Sequence, residues 1–314
     1  MRPRSSPRSR RPRSVARWAP FVCGLALVIV ARWFAFAQTA RPGSSFEAVT
    51  WDLGATAAGP MRAVVLLPRH RAPGDRFPLL IAFHGRGEAL RGPERGAWGW
   101  SRDYELGASD LALRHSPLSH AAFFDLVDDR RLAAMRTDLH RRPYGGLVVV
   151  TPYTPDVLTP ADGATLQQAF DDVVVNTIVP RARRELPVIA TREATGIDGV
   201  SLGGLHALWI GLGHPETFGT VGAMQAAVRN RQTQVADRFV ASPTRPTQQL
   251  RLLTSDGDPL RPDVQLLADT FAARGIAHRL LVVRGPHDYI FNRGPGGIEM
   301  LLFHDRALRG ETAP

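Results

Sequence analysis

Apolar residues in this chain fall into short continuous runs separated by longer amphipathic stretches. Residues 77–83 (F-P-L-L-I-A-F) and 146–153 (G-L-V-V-V-T-P-Y) carry the pattern of strands buried on both faces. Ahead of them, two β-prone runs at 46–51 and 61–67 are separated by Gly54, Gly59 and Pro60, which predicts an antiparallel hairpin. Helices are predicted at 105–113, 119–139 and 166–186, with Pro180 kinking or bounding the last of these. Strands at 197–200, 218–226, 250–254 and 279–283 then alternate with helices at 204–212, 264–274 and 297–308. This alternation predicts an α/β fold. The sheet is mainly parallel and doubly wound, with an antiparallel N-terminal hairpin and helices on both faces. No internal repeat or second domain is visible, so 46–314 reads as a single domain.

Before residue 38 the pattern changes. A basic stretch up to Arg17 precedes an apolar run at 18–31, and Ala35 and Ala37 fit the small-residue positions of a signal-peptidase site before Gln38. The alternative is an uncleaved anchor: 18–37 approaches the length of a bilayer helix, although Arg32 interrupts it. In both cases the basic end stays inside and the domain faces outward. The expected location is therefore periplasmic, extracellular or membrane-anchored. Arg10 and Arg11 hint at a twin-arginine signal, but the residues after them fit it poorly. Cys23 lies within the apolar run, away from a lipoprotein site, so a cleaved chain would hold neither a disulfide nor a thiol nucleophile. Residues 38–45 read as a linker.

The formal charge of +10 suggests a nucleic-acid partner until its distribution is considered. Eight arginines and no acid lie in 1–37, which leaves 31 basic against 29 acidic residues in the remainder. The excess belongs to the leader, and a nucleic-acid-binding face is disfavoured. With 44% apolar and 22% charged residues, the rest is ordinary globular material.

The candidate chemistry centres on Gly199-Val200-Ser201-Leu202-Gly203, a G-x-S-x-G between a predicted strand and a predicted helix. Such a turn holds the serine in a strained conformation, and glycines two residues to either side remove Cβ atoms that would clash. It also aims a helix N-terminus at the hydroxyl. A serine needs a base, and the base needs a carboxylate that fixes its tautomer. His287 alone among ten histidines follows a late strand by a short glycine-containing loop. His70 and His278 flank strands, His206 lies in the helix behind the serine, and His214 precedes Pro215. His115, His120, His140 and His304 occur in helical or charged surface surroundings. Asp256 and Asp258 both follow the penultimate strand; Asp258, before Pro259, is the preferred acid and Asp256 the alternative. The order Ser201, Asp258, His287 is that of α/β-hydrolases. The Leu202 N–H is one expected oxyanion donor, and the N–H of Arg86 or Gly87, after His84 and Gly85, is the second. His84 is read as a brace for that loop.

H-G-R-G-E after a buried strand, G-V-S-L-G-G, H-P-E-T-F-G, D-G-D-P-L and G-P-H-D-Y together resemble the secreted putative-esterase branch of the α/β-hydrolases, which includes esterase D, feruloyl esterase and enterochelin esterase-like proteins. The resemblance covers roughly 46–309. It implies an α/β-hydrolase fold and a serine carboxylesterase with Ser201, Asp258 and His287 as its triad, and no metal or organic cofactor. Two departures concern the substrate: Gln225 stands where such proteins often carry a serine near the pocket, and the insert at 91–104 does not place the chain in a characterised subfamily.

Trp98, Trp100 and Tyr104 after the oxyanion strand, with Tyr153 and Gln225, are candidates for lining an acyl or aryl site, with packing of the loop as the equal alternative. Arg86 could attract an anionic substrate or be an ordinary surface arginine. The expected partner is a small-molecule, lipid or aryl ester. The alternatives are acyl transfer to a sugar or lipid alcohol, and a non-catalytic binding protein on the same fold.

Overall fold

The computed structural model describes residues 44–115, 117–239 and 245–314, all within one compact unit. The expected leader at 1–37 and most of the linker at 38–45 lie outside the described residues. β1 (Phe46–Thr56) and β2 (Gly59–Pro68) form the antiparallel hairpin, and β2 also pairs antiparallel with β4 (Val148–Pro152). The other strands are β3 (Leu79–Phe83), β5 (Thr195–Gly199), β6 (Thr220–Met224), β7 (Gln249–Gly257) and β8 (Arg279–Pro286), and every pairing among β3 to β8 is parallel. The sheet has eight strands in the order β1-β2-β4-β3-β5-β6-β7-β8. The crossover of β3 and β4 places β3 and β6 on either side of β5, at the centre of the parallel region.

Successive side chains of a strand face opposite ways, and a sheet buried on both sides therefore needs two apolar layers. β3 shows the division: Leu79, Ile81 and Phe83 join one cluster, while Leu80 and Ala82 join the other. The first layer includes apolar residues of α4 (Gly163–Val173), α5 (Val179–Glu185), α6 (Leu202–Gly213) and α7 (Arg261–Ala273). The second includes residues of α2 (Leu106–Arg114), α3 (Asp129–Arg141) and α8 (Gly297–Ala307). A short helix, α1 (Arg86–Ala89), forms a single turn after β3.

Three local differences from the sequence reading have physical causes. The helix expected across 119–139 is broken, because Phe124 and Asp125 adopt left-handed φ values of 51° and 60°. α3 then starts afresh where the Asp128 carboxylate accepts the Arg131 N–H and caps its first turn. At Pro180 the missing N–H removes one helical hydrogen bond, and a π-turn at Val174–Ile178 joins α4 to α5.

The third difference is His304, which lies on α8 and is fully buried instead of facing charged surroundings at the surface. Its Nε2 is 2.9 Å from Asp198 Oδ2 on β5, and the other Asp198 oxygen accepts the Gly199 N–H at 2.7 Å. Arg251, also buried, approaches Asp198 at 3.8 Å and is pulled down to about 10 by burial. A buried carboxylate without such partners would cost several kcal/mol. Among the described residues no helix is long and apolar enough to cross a membrane.

Candidate active site

Ser201 follows β5 and caps α6 with φ 57° and ψ −115°. That region is unfavourable for a residue with a Cβ, by about 1–3 kcal/mol, and persists only where the surroundings enforce it. Here they do. The Ser201 N–H is bound by Met224 O at 2.9 Å, and Ser201 O accepts from Ala227 N at 2.9 Å and Leu205 N at 3.2 Å. A Cβ on Gly199 would fall on the Gly203 carbonyl group, and one on Gly203 would lie 2.5 Å from Phe83 O and 2.7 Å from His84 O. The two glycines thus allow β5, the turn and the end of β3 to close around the serine.

The hydroxyl meets the loop after β8. Ser201 Oγ lies 3.1 Å from His287 Nε2, and His287 Nδ1 lies 2.8 Å from Asp258 Oδ1. The Asp258 carboxylate is buried and further fixed by Thr254 Oγ1 at 2.7 Å and Leu260 N at 2.9 Å. As the acceptor, the carboxylate keeps the ring proton on Nδ1 and leaves the Nε2 lone pair for the serine. Asp256 is directed elsewhere: its Oδ1 accepts the Gly285 N–H at 2.9 Å. Asp288 caps the turn after the histidine by accepting from Ile290 N and Phe291 N.

The loop after β3 faces the same hydroxyl, since a Cβ on Gly85 would lie 3.9 Å from Ser201 Cβ. His84 is fully buried, and burial lowers it to about 4, so it is neutral near pH 7. Its Nε2 accepts the Thr154 N–H at 2.9 Å, and its Nδ1–H is left to donate to Gly85 O at 2.9 Å. In a trans peptide the carbonyl and the following N–H point oppositely, and so the bound Gly85 carbonyl turns the Arg86 N–H away from the buried ring. Arg86 and Gly87 open α1 and Leu202 opens α6, so their N–H groups precede the first intrahelical acceptors.

These groups surround an open cleft of about 260 Å³. Its walls include Arg86, Gly87, Glu88, Tyr104, Tyr289 and Asn292, with Ser201 and His287 at the reacting edge. Of the aromatic candidates only Tyr104 lines it. Trp98 and Trp100 are buried in the second layer, Trp98 beneath the Arg102 guanidinium and Trp100 edge-on to Tyr104 at 4.9 Å. Tyr153 donates its hydroxyl to Ala89 O at 3.0 Å. Gln225 is buried, and its Nε2 donates to Ser255 Oγ at 2.7 Å and Pro286 O at 2.9 Å. These four pack the loops behind the cleft and do not contact it, which corrects the expectation that they form its wall. The Arg86 guanidinium is engaged by Asp156 at 2.9 Å and Thr159 at 2.6 Å. Glu88, Tyr289 and Asn292 were not singled out by sequence. A turn acid and a loop tyrosine carry no local signal of this kind. Among the described residues no group of three or more His, Cys, Asp or Glu could hold a metal ion.

A family model, Esterase, described as "Putative esterase", matches residues 126–288, a span that contains Ser201, Asp258 and His287. The chain belongs to the esterase family. It is a carboxylesterase-type hydrolase, and its chemistry is the hydrolysis of ester bonds. The fold of this esterase is similar to that of several solved structures. A ferulic acid esterase aligns with TM-score 0.62 at 17% identity, over 84% of this chain and 99% of its own. An S-formylglutathione hydrolase from Staphylococcus aureus aligns with TM-score 0.57 at 12% identity, over 85% and 99%. A siderophore hydrolase from Aspergillus nidulans aligns with TM-score 0.56 at 16% identity, over 85% and 97%. At these identities the likeness concerns the α/β-hydrolase fold. No curated protein matches the chain in sequence.

Proposed function

We propose that this esterase is an exported serine hydrolase that cleaves small carboxylic esters through Ser201, His287 and Asp258. The observation that carries this reading is the unbroken chain from Ser201 Oγ through the imidazole to Asp258, at 3.1 and 2.8 Å, on a serine held at φ 57°. In the first half-reaction Ser201 Oγ attacks the acyl carbon and passes its proton to His287 Nε2. The developing oxyanion is received by the Leu202 N–H and by the N–H of Arg86 or Gly87. His287 then protonates the departing alcohol. Water repeats the cycle on the acyl-enzyme and releases the acid. Asp258 stabilises the imidazolium as it forms.

An open cleft of about 260 Å³ with two tyrosine rings in its wall favours a compact ester, of short-chain or aryl type. Solved structures of similar fold include a ferulic acid esterase and a siderophore hydrolase, which agree with a small-molecule ester as substrate. Export is supported by the basic and apolar order of residues 1–37 and the Ala35, Ala37 pair before Gln38.

Labelling by a fluorophosphonate and turnover of p-nitrophenyl acetate and longer esters by the full chain test the chemistry. Wild type is expected to be labelled on Ser201, and Ser201→Ala to lose both labelling and turnover. A Ser201→Ala variant as active as wild type would refute it. Fractionation of cells expressing the full chain, with N-terminal sequencing of the mature product, tests export. A cytoplasmic chain that retains Met1 would contradict it.

A further inference from the structure

Glu88 stands in the first turn of α1, beside the peptide groups assigned above to the oxyanion, yet it is almost completely buried. Its two oxygens are taken by phenols from different parts of the chain. Tyr104 Oη donates to Oε2, and Tyr289 Oη donates to Oε1 at 2.7 Å. Tyr104 ends the insert at 91–104, whereas Tyr289 is two residues after His287. Each phenol does a second job. Tyr104 Oη accepts the Gly85 N–H at 3.0 Å, and Tyr289 Oη accepts from Arg91 Nη2 at 2.8 Å. Arg91 in turn reaches Asp103 at 3.0 Å and lies 3.9 Å from Glu88 Oε1.

Gly85 is therefore pinned from both sides, by Tyr104 at its N–H and by His84 at its carbonyl. A Cβ on Gly85 would lie 3.4 Å from Glu88 Oε2 and 3.9 Å from Ser201 Cβ, so carboxylate and nucleophile flank the same peptide. Both tyrosines are held in the protonated, donating form. Burial, then the Glu88 charge, raises Tyr104 well above the ordinary range, and burial with the Glu88 hydrogen bond pushes Tyr289 up to about 12.

Resting on the serine-esterase reading, we propose that Glu88 is a positioning residue: its carboxylate, gripped by Tyr104 and Tyr289, ties the loop carrying Arg86 and Gly87 to the loop carrying His287. The oxyanion donors and the base come from segments about two hundred residues apart in the chain, and no strand pairing joins them, because β3 and β8 are separated by three strands. The Glu88–Tyr289 hydrogen bond makes that link within the wall of the cleft. A displacement of about 1 Å between such groups costs on the order of a hundredfold in rate. The buried carboxylate would oppose a nearby oxyanion if left bare. Two O–H dipoles and Arg91 answer its charge, and the N–H groups of α1 remain available to the substrate.

The test uses the full chain with Glu88→Gln, Tyr289→Phe and the double variant, measured against p-nitrophenyl acetate and butyrate together with thermal unfolding. Glu88→Gln is expected to lower kcat about 10- to 100-fold with KM within about threefold, and Tyr289→Phe about 3- to 10-fold. The amide of Glu88→Gln keeps one acceptor for two phenol donors and so weakens the link that Tyr289→Phe removes; the two losses should not fully add, and the double variant should be about as active as Glu88→Gln. Tyr289 is partly exposed, so Tyr289→Phe decides the matter if Glu88→Gln does not fold. A change confined to the unfolding midpoint, a rise in KM alone, or fully additive losses would overturn the proposal. Loss of labelling and activity in wild type would refute the serine-esterase reading instead, so the two failures are distinguishable.

Discussion

The carboxylate of Asp256 accepts the Gly285 N–H at 2.9 Å, two residues ahead of His287. It braces the loop on which the imidazole sits, while Asp258, on the far side of Gly257, binds the imidazole itself. The two acids should respond differently to the same change. Asp258→Asn replaces the acceptor that fixes the tautomer, and kcat should fall on the order of 10³- to 10⁴-fold. Asp256→Asn keeps a carbonyl oxygen for the Gly285 N–H and should cost less than about tenfold. Steady-state kinetics on a chromogenic ester separates them, and equal losses would contradict the assignment.

Gly203 has no room for a methyl group. Its Cβ would meet two backbone oxygens, Phe83 O and His84 O, neither of which belongs to a flexible side chain. Gly203→Ala should cost about 1–3 kcal/mol or more of stability and most of the activity, as α6 is pushed from the end of β3. Denaturant unfolding followed by circular dichroism would reveal it; a midpoint like that of wild type would refute the packing argument.

Gln225 supports the histidine loop from behind through Pro286 O and Ser255 Oγ. In Gln225→Leu a similar volume is kept but the donors are lost, leaving the partly buried Pro286 carbonyl without this partner at a cost of about 1 kcal/mol. The expectation is a lower melting temperature and a kcat reduced several-fold, with KM little changed because the side chain does not reach the cleft. A raised KM at constant kcat would place Gln225 in contact with substrate.

Three buried histidines, His84, His206 and His304, set a pH dependence of stability, each lowered by burial. Burial lowers His84 to about 4 and His206 to about 3, against an unfolded value near 6.5. Below pH 6.5 the unfolded chain takes up these protons and the folded one does not, so stability is complete above that pH and declines as pH falls. For His84 alone the loss approaches about 3 kcal/mol near pH 4. His214, raised by its hydrogen bond to Asp171, works in the opposite direction and offsets a part. Urea midpoints at pH 7, 5.5 and 4.5 should fall in that order. Equal midpoints would show that the histidines are not buried neutral.

What the sequence disclosed was local, and what it withheld was distant. The serine turn is legible because glycine at 199 and 203 answers a clash within five residues. The continuous apolar runs at 77–83 and 146–153 reveal strands covered on both sides without any knowledge of what covers them. Asp256 and Asp258 stand too close together for spacing to separate; the register shift in β7 between Ser255 and Gly257 directs one toward Gly285 and leaves the other facing His287. Trp98 lies in a turn and Trp100 in the single π-helical turn Gly99–Asp103, too short a stretch for a repeating period to show which side faces the solvent. Glu88 and His304 owe their meaning to partners 201 and 106 residues away, Tyr289 and Asp198.

The bond from His304 to Asp198 also constrains the order in which the chain can become an enzyme during synthesis. β5 leaves the ribosome more than a hundred residues before α8 is available to cover its acid. Until α8 docks, the strand that presents Ser201 holds a carboxylate without its imidazole partner, which disfavours packing that strand into the sheet. A nascent chain stalled short of residue 304 should therefore carry an unfinished serine turn, and hydrolytic competence should arrive late in translation.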